Sequence, residues 1–261
     1  MKIGFVQFNP KFGKVEENLY RVESLIGGIS CDLLVLPELF ATGYTFRTAG
    51  EVKKLSESVS GGKTLRFLKR ISNEKKISIV GGFAERDGQS VYNSSALYYE
   101  SGKHFIYRKK HLYRHEKEFF RRGKKPYRIV TLKSGVKVGI IICFDWFFPE
   151  TIRALVLKGA QIICHSANLV MPFCQDAMIT RAIENRVFII TANRTGVEKR
   201  GRFENRFTGM SQIISPEGRI LVRAEEYEES VAVVNINPKE ALNKFLNSMN
   251  NILRDRRENM H

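Results

Sequence analysis

The sequence predicts an α/β protein with mixed sheets, and three observations support this prediction. Short apolar runs typical of strands alternate with segments whose apolar residues recur at helical spacing. Strands that alternate with helices favour sheets covered by helices. Two neighbouring runs on either side of Ser101-Gly102 have the form of a hairpin, which a purely parallel sheet would not contain. A chain of 261 residues can bury a sizeable core and still remain one domain, which we expect to span residues 1–261.

Individual elements follow from the same patterns. The strands predicted up to residue 191 are Lys2–Phe8, Cys31–Pro37, Ile77–Phe83, Val91–Tyr99, Lys103–Tyr107, Val136–Cys143, Gln161–His165 and Val187–Thr191. The predicted helices are Val15–Ile26, Thr64–Lys75, Pro149–Lys158 and Gln175–Arg186. Short strands joined by turns follow Phe207, namely Gly209–Ile214, Arg219–Arg223 and Ser230–Asn235. The polar tail Pro238–His261 offers few core candidates, so we expect it to pack on a partner chain or to fray.

Composition excludes several classes of protein. A hydrophobic content of 43% is too high for a disordered chain. No apolar run approaches the length of a membrane span, and the apolar stretch at the N-terminus is too short for a signal peptide. The four cysteines show no CxxC pair, which favours reduced thiols in a cytoplasmic protein.

The charge balance raises the question of an anionic partner. Lys and Arg number 43 against 27 Asp and Glu, a net charge of +16. Residues 107–125 are densely basic and interleaved with aromatics, which suits a nucleic-acid groove. The same stretch contains two glutamates, and no known nucleic-acid module accompanies it. We therefore interpret the charge as a basic surface and expect no nucleic-acid partner, with a nucleic-acid-binding protein as the non-enzyme alternative.

Two residues stand at the carboxyl ends of predicted strands, where α/β proteins place their active sites. Cys143 ends one strand shortly before the helix at Pro149, and a helix N-terminus or a nearby cation would stabilise its thiolate. The alternative is a buried apolar cysteine. Glu38 follows Pro37, and it is either a base with a raised pKa or a solvated loop residue. Cys164-His165 could suggest a ligand pair, but adjacent strand residues point to opposite faces, so core packing is favoured.

Three segments, in this order, resemble the signature segments of the nitrilase superfamily: Leu36–Phe40, Tyr107–Leu112 and Cys143–Glu150. The members are carbon–nitrogen hydrolases with a Glu–Lys–Cys triad, which the resemblance assigns to Glu38, Lys110 and Cys143. Similar residues recur along almost the whole chain, at Thr42–Tyr44, Tyr92–Ser94 and Arg181–Arg186. The resemblance implies a nitrilase-like four-layer α-β-β-α sandwich. It also implies a homodimer or higher homo-oligomer that extends each sheet across the interface.

The resemblance further implies a mechanism without metal or cofactor. Cys143 attacks the carbon of an amide or nitrile, and Glu38 moves the protons. Lys110, paired to both glutamates, stays protonated and holds the developing negative charge together with the Phe144 N–H. A second glutamate that positions the substrate precedes a loop glycine in this family, which favours Glu116 over Glu118. A thioester intermediate then yields a carboxylic acid and ammonia.

Substrate choice rests on fewer residues. Cys143–Glu150, Asn168–Pro172 and Asn247–Arg257 are similar to the compact archaeal-type aliphatic nitrilases. An aromatic wall suits a small uncharged substrate, although apolar pockets discriminate weakly. Small aliphatic nitriles or amides rank first, and the alternative is an N-carbamoyl amidohydrolase or an ω-amidase. The substrate contacts expected from the resemblance are Phe144, Trp146, Phe147 and Asn168.

Overall fold

The computed structural model describes residues 1–257, and their backbone forms two mixed six-stranded sheets and a separate hairpin. The first sheet contains β1 (Lys2–Gln7), β2 (Leu33–Val35), β3 (Ser78–Asp87), β4 (Ser90–Tyr98), β5 (His104–Arg108) and β14 (Ser230–Asn235). The second sheet contains β6 (Val130–Thr131), β7 (Lys137–Ile142), β8 (Ile162–Ser166), β9 (Phe188–Ala192), β12 (Gln212–Ile214) and β13 (Ile220–Arg223). The hairpin consists of β10 (Val197–Arg200) and β11 (Phe203–Arg206).

Helices connect and cover these strands. The α-helices are α1 (Val15–Leu25), α2 (Ala49–Leu55), α3 (Lys63–Lys75), α4 (Glu116–Phe119), α5 (Pro149–Leu157) and α6 (Cys174–Asn185). Short 3-10 helices follow β7 and β14, at Cys143–Phe147 and Pro238–Leu242. None of the described helices has the length and apolar character needed to cross a membrane.

The two sheets have matching strand arrangements. The first has the order β14-β1-β2-β3-β4-β5 and the second the order β13-β12-β9-β8-β7-β6. In each sheet the three strands β1–β3 or β7–β9 are parallel, and the flanking strands pair antiparallel. The carboxyl ends of parallel strands lie at one edge of a sheet, and ligands bind there in α/β proteins. Glu38 follows β2 and Cys143 follows β7, so both sit at such an edge.

Side-chain alternation along the strands builds the layers. Leu33 and Val35 of β2 belong to a core shared by both sheets, whereas Leu34 belongs to a second core under α1 and α3. The shared core continues through the second sheet to Ile152 of α5 and Met178 of α6. The layers are therefore helices, first sheet, second sheet and helices, as the family resemblance implies.

The predicted hairpin is confirmed, because β4 and β5 pair antiparallel and Gly102 turns between them with a φ of +75°. The sequence did not reveal α2, α4, β6 or the hairpin of β10 and β11. The hairpin is missing from the prediction because three of the four residues of Val197–Arg200 are charged and the strand has no apolar run. The strand predicted over Cys31–Pro37 is limited to Leu33–Val35.

The described part of the C-terminal tail is attached to its own chain. The ammonium of Lys244 donates to the backbone oxygens of Asn185 and Arg186, at 2.9 and 2.7 Å. The guanidinium of Arg186 donates in turn to the carbonyl of Asn243, and Leu253 packs against the shared core. This part of the tail therefore packs on its own chain, and its packing on a partner chain stays a prediction. Residues 258–261 lie outside the described residues.

Candidate active site

Glu38 is held in place by the backbone of a neighbouring strand. Its side chain is completely buried after β2, and Leu39 adopts a left-handed φ of +49° as the chain turns. The amide of Gly82 in β3 donates to the carbonyl of Pro37 at 3.1 Å. A Cβ at Gly82 would lie 2.5 Å from the Cα of Glu38, so only glycine allows this approach.

Cys143 begins the turn after β7 with a φ of +38°, a left-handed conformation that is uncommon outside glycine. Its carbonyl lies 3.0 Å from Nε2 of His165. Because a carbonyl only accepts, Nε2 carries the hydrogen, and Nδ1 accepts from the Thr191 hydroxyl at 3.2 Å. Burial lowers the pKa of His165 to about 4, so the ring stays neutral and supports this backbone. Cys164 is buried behind it in the shared core.

Asp145 fixes the turn that carries Cys143 to the segment after β5. One carboxylate oxygen accepts from the amide of Ile142 at 3.0 Å and from the hydroxyl of Tyr107 at 2.8 Å. The other oxygen accepts from the backbone N–H of His111 at 3.1 Å. Asp145 is completely buried, and its hydrogen bonds connect β7 of the second sheet to β5 of the first beside the cysteine.

The lysine that contacts both glutamates is Lys109. The prediction that Lys110 pairs with both of them is therefore wrong. The Lys109 ammonium lies 2.7 Å from Oε1 of Glu38 and 2.8 Å from Oε1 of Glu116, and its side chain is fully buried. Lys110 instead donates to the carbonyl of Lys125 near the surface.

Strand alternation explains the difference. The amide of Lys109 donates to the carbonyl of Asn93 at 2.8 Å, so the pairing of β5 with β4 continues past Arg108. Alternate residues of an extended segment face the same side, and Tyr107 therefore shares the buried side with Lys109. A buried Tyr107 in the sequence pattern would have favoured Lys109 over Lys110.

Asn93 and Tyr44 contribute to the site and were not identified from the sequence as site residues. The amide of Asn93 donates to Oε1 of Glu38 at 2.6 Å, and the Tyr44 hydroxyl donates to Oε1 of Glu116 at 2.7 Å. Glu116 is buried beside Lys109, whereas Glu118 is exposed and pairs with His115. Both missed residues are uncharged, and their contacts come from distant parts of the chain.

The Carbon-nitrogen hydrolase family matches residues 2–242, almost the whole chain. The chain belongs to this family. A nitrilase of Pyrococcus abyssi is 44% identical over 261 residues, covering 99% of this chain and 98% of the relative. An (R)-stereoselective amidase of a Pseudomonas species is 33% identical over 229 residues, covering 86% of this chain and 81% of the relative. The structure of Saccharomyces cerevisiae Nit3, a member of the nitrilase superfamily, gives a TM-score of 0.81 at 26% identity, covering 93% of this chain and 92% of that chain.

The buried ionisable groups of this carbon–nitrogen hydrolase shift one another's pKa values. Burial raises the pKa of Glu38 to about 7, although the Lys109 ammonium opposes this rise. Burial alone would lower the pKa of Lys109, but the carboxylates of Glu116 and Glu38 outweigh it and raise that pKa above the usual lysine range. Burial, reinforced by Glu38, raises the pKa of the Cys143 thiol well above its ordinary value. The active-site cysteine is therefore a thiol at neutral pH, next to a carboxyl group that is partly ionised.

A narrow cavity of about 10 Å³, room for about one water molecule, adjoins the cysteine of the hydrolase. Its lining consists of Tyr113, Cys143, Phe144, Trp146, Asn168, Leu169, Val170 and Met171. The side-chain amide of Asn168 donates to the backbone carbonyl of Glu38 at 3.0 Å. The backbone carbonyl of Asn168 lies 3.6 Å from the Cys143 sulfur. Three of the four expected substrate contacts thus line the cavity. Phe147 does not, because its ring is half exposed and packs on the rings of Phe144, Trp146 and Phe148.

Proposed function

We propose that this hydrolase cleaves small aliphatic nitriles or amides through a thioester formed on Cys143. The observation that carries the proposal is the buried ammonium of Lys109 between Glu38 and Glu116, together with a cysteine at the carboxyl end of β7 that opens onto a narrow cavity. A base, a fixed cation and a nucleophile are the parts that acyl transfer from an amide requires. The catalytic roles below belong to this proposal.

Cys143 attacks the substrate carbon as its thiol proton moves to Glu38. Since the thiol has a raised pKa, the thiolate arises only during attack, and Glu38 with a pKa of about 7 suits the proton transfer. The charge that develops on the substrate oxygen is held by the third N–H of Lys109 and by the backbone N–H of Phe144.

The same groups complete the cycle. Glu38 returns its proton to the leaving nitrogen, the carbon–nitrogen bond breaks, and ammonia departs from an amide. Water then adds to the thioester while Glu38 takes one of its protons. The carbon–sulfur bond breaks, the thiol is reprotonated, and the carboxylic acid leaves. A nitrile first gives a thioimidate, whose nitrogen is lost as ammonia after water adds to its carbon.

The side chains around Cys143 favour a small uncharged acyl group. Aromatic and aliphatic side chains form most of the lining of the cavity, and no ionised side chain belongs to that lining. Apolar walls select by size, within about 1–3 kcal/mol per methylene group. The Pyrococcus abyssi relative carries the name nitrilase, which supports nitriles as substrates.

Ammonia release from matched small nitriles and primary amides tests the proposal. We expect release from propionitrile or propionamide by the unmodified enzyme and none by Cys143→Ala. Cys164→Ala is the matched control, because Cys164 is equally buried but packs away from the cavity. Release that survives in Cys143→Ala would overturn the proposed mechanism, and release only from N-carbamoyl or carboxylate-bearing amides would overturn the proposed substrate class.

A second candidate function, ω-amidase or N-carbamoyl amino-acid amidohydrolase, is favoured by a neighbouring cleft of about 190 Å³. Tyr113 and Glu116 form part of its wall, and Arg114 and Arg202 also line it. Within residues 1–257, these two guanidiniums contact the aromatic rings of Tyr113 and Phe203. They are thus available to a substrate carboxylate, and a 2-oxoglutaramate amidase of Bacillus subtilis is 32% identical over 92% of this chain.

Charge-removing variants distinguish the two candidates. Under the second candidate, Arg114→Gln with Arg202→Gln raises KM for succinamate about 10-fold or more and leaves KM for propionamide unchanged. Equal KM values for succinamate in the variant and the parent would exclude a role for this cleft in reading a carboxylate.

We also propose a cytoplasmic homodimer. Large apolar side chains are exposed on the outer helices of the second sheet and on the tail next to α6. They are Leu157, Phe173, Ile183, Leu242, Phe245, Leu246 and Met249. A second copy of the chain would cover this apolar surface.

A further inference from the structure

The position of Glu116 depends on a hydroxyl that lies outside the triad. Oε1 of Glu116 accepts from the Lys109 ammonium at 2.8 Å and from the Tyr44 hydroxyl at 2.7 Å. Burial raises the pKa of Tyr44 well above its ordinary value, so the hydroxyl keeps its proton and donates it to the carboxylate. Oε2 of Glu116 accepts from the backbone N–H of Tyr113 at 3.2 Å. Tyr44 and Lys109 therefore set the orientation of one and the same oxygen.

Tyr44 is positioned by a carboxylate of the hairpin. Oε2 of Glu198 accepts from the backbone N–H of Tyr44 at 3.0 Å and also from that of Thr45. The chain reaches this carboxylate because Gly43 adopts a φ of +78°. A Cβ at Gly43 would lie 2.7 Å from Oε1 of Glu198 and 2.9 Å from the Cα of Phe12, so a larger residue would push the loop away.

Glu198 is held by a buried cation. Its Oε1 lies 2.8 Å from Nη1 of Arg194, and the two side chains are 6% and 1% exposed. Nη2 of Arg194 donates to Oδ1 of Asn9 at 2.8 Å and to the carbonyl of Pro10 at 3.1 Å. The guanidinium also stacks 4.0 Å above the ring of Phe207. The pair thus connects the end of β1, the end of β9 and the start of β10.

A buried ion pair gives little net stability, because removing both charges from water offsets most of their attraction. The pair between Arg194 and Glu198 acts instead through the geometry that it fixes. The Phe207 ring that stacks on Arg194 also packs edge-on against the ring of Tyr44, with centroids 6.0 Å apart. Backbone and ring of Tyr44 are therefore both set by the same pair.

We propose that Arg194, Glu198 and Tyr44 are positioning residues that hold the carboxylate of Glu116 against Lys109. The inference rests on the proposed function. It assigns no contact with substrate to these residues. Without the hydroxyl, Glu116 loses one of the two hydrogen bonds on Oε1 and turns away from Lys109. The Lys109 ammonium, which stabilises the developing oxyanion, is then held less firmly in position.

Tyr44→Phe tests the inference with the smallest change, because the ring and its packing are retained. Loss of a hydrogen bond to a charged group should decrease kcat by about 10-fold to 100-fold, with KM changed about 2-fold or less. The acidic limb of the pH–rate profile should move to lower pH, because Glu116 close to Glu38 raises the pKa of Glu38. Tyr98→Phe is the matched control, since Tyr98 is a buried tyrosine of the second core, under α1 and α3 on the other side of the first sheet.

A double-mutant cycle with Glu116→Gln shows through which residue Tyr44 acts. If the inference holds, Tyr44→Phe changes kcat about 2-fold or less once Glu116 is already replaced. An equal decrease in both backgrounds, or a Tyr44→Phe enzyme as active as its parent, would overturn it. Arg194→Lys should give a smaller decrease with the same shift in pH, because a lysine cannot bridge Glu198 and Asn9 as the guanidinium fork does.

A readout independent of the substrate separates this inference from the proposed function. The rate of Cys143 alkylation by iodoacetamide, followed by peptide mass spectrometry, reports on the charges around the sulfur. A shifted pH dependence of alkylation in Tyr44→Phe would support the positioning role even if no nitrile or amide were hydrolysed. An unshifted profile in an enzyme that does hydrolyse these substrates would overturn the inference alone.

Discussion

Lys109 and Lys110 are identical side chains one residue apart, and only their direction from the strand separates their roles. Lys109 lies in a fully buried contact with two carboxylates, whereas Lys110 donates to a backbone carbonyl at the surface. A residue type and a family resemblance located the lysine to within one position. The pairing of Lys109 with Asn93 decides which of the two enters the core.

Replacement of each lysine gives opposite outcomes. Lys109→Ala removes the cation between Glu38 and Glu116 and should reduce kcat by about 100-fold or more, as for an oxyanion-stabilising group. Lys110→Ala should keep kcat within about 2-fold and is the matched control. Initial rates of ammonia release measure both. A strong defect in Lys110→Ala with normal activity in Lys109→Ala would contradict the assignment.

The pH dependence should follow Glu38. This group accepts a proton only when ionised and has a pKa of about 7, so kcat/KM should rise through about pH 7 and level off above it. The pKa of Lys109 is raised, so no falling limb is expected in the ordinary lysine range.

Asn93→Ala tests whether Glu38 controls this pH dependence. Asn93 donates to the carboxylate of Glu38 and stabilises its charged form, so its loss should raise the pKa of Glu38 and move the rising limb to higher pH. Rate profiles of both enzymes measure the shift. A limb that stays in place would show that another group controls it.

At the scale of elements, close backbone contacts fix the catalytic turns. Glu38 lies against Gly82 of β3, and Cys143 depends on His165 of β8 and on Asp145 within its own turn. Short apolar runs were sufficient to predict β1, β7 and β8 to within a residue or two at each end, but β3 continues four residues past the predicted Phe83. They could not predict which polar side chains from separate elements meet, because such contacts depend on how the sheets stack.

Gly82→Ala tests the contact between the strands. The added methyl group would overlap the backbone of Glu38, so the variant should lose about 1–3 kcal/mol of unfolding free energy and most of its activity. Gly28→Ala is the matched control, because a Cβ there would meet no atom within 4 Å. Urea unfolding and ammonia release measure the two effects. Equal stability and activity in both variants would refute the close approach.

At the scale of the whole molecule, the net charge of +16 does not identify a nucleic-acid protein. The basic stretch splits between two environments, since Lys109 is buried with two glutamates while most of its other cations are exposed. The absence of a nucleic-acid partner remains a prediction, and binding that weakens steeply with salt would contradict it.

The exposed apolar surface on α5, α6 and the tail predicts a dimer. Light scattering at micromolar protein should give twice the 30.0 kDa mass of the chain. Phe173→Asp, on a ring that is 60% exposed beside α6, should shift the mass towards the monomer. Tyr20→Asp on α1, in the opposite outer layer, has a 75% exposed ring and should leave the mass unchanged. A monomer mass for the parent chain would refute the dimer.

The α/β class, the mixed sheets and the family segments could be predicted from the sequence, because they depend on local periodicity and on residue types. The sequence placed Glu38 and Cys143 at strand ends for the same reason. The contact of Lys109 rather than Lys110 with Glu116 became apparent only in the three-dimensional structure, as did the support that Tyr44, Asn93 and His165 give to the site. Those contacts join residues far apart in the chain, and strand pairing together with the stacking of two sheets brings them within hydrogen-bonding distance.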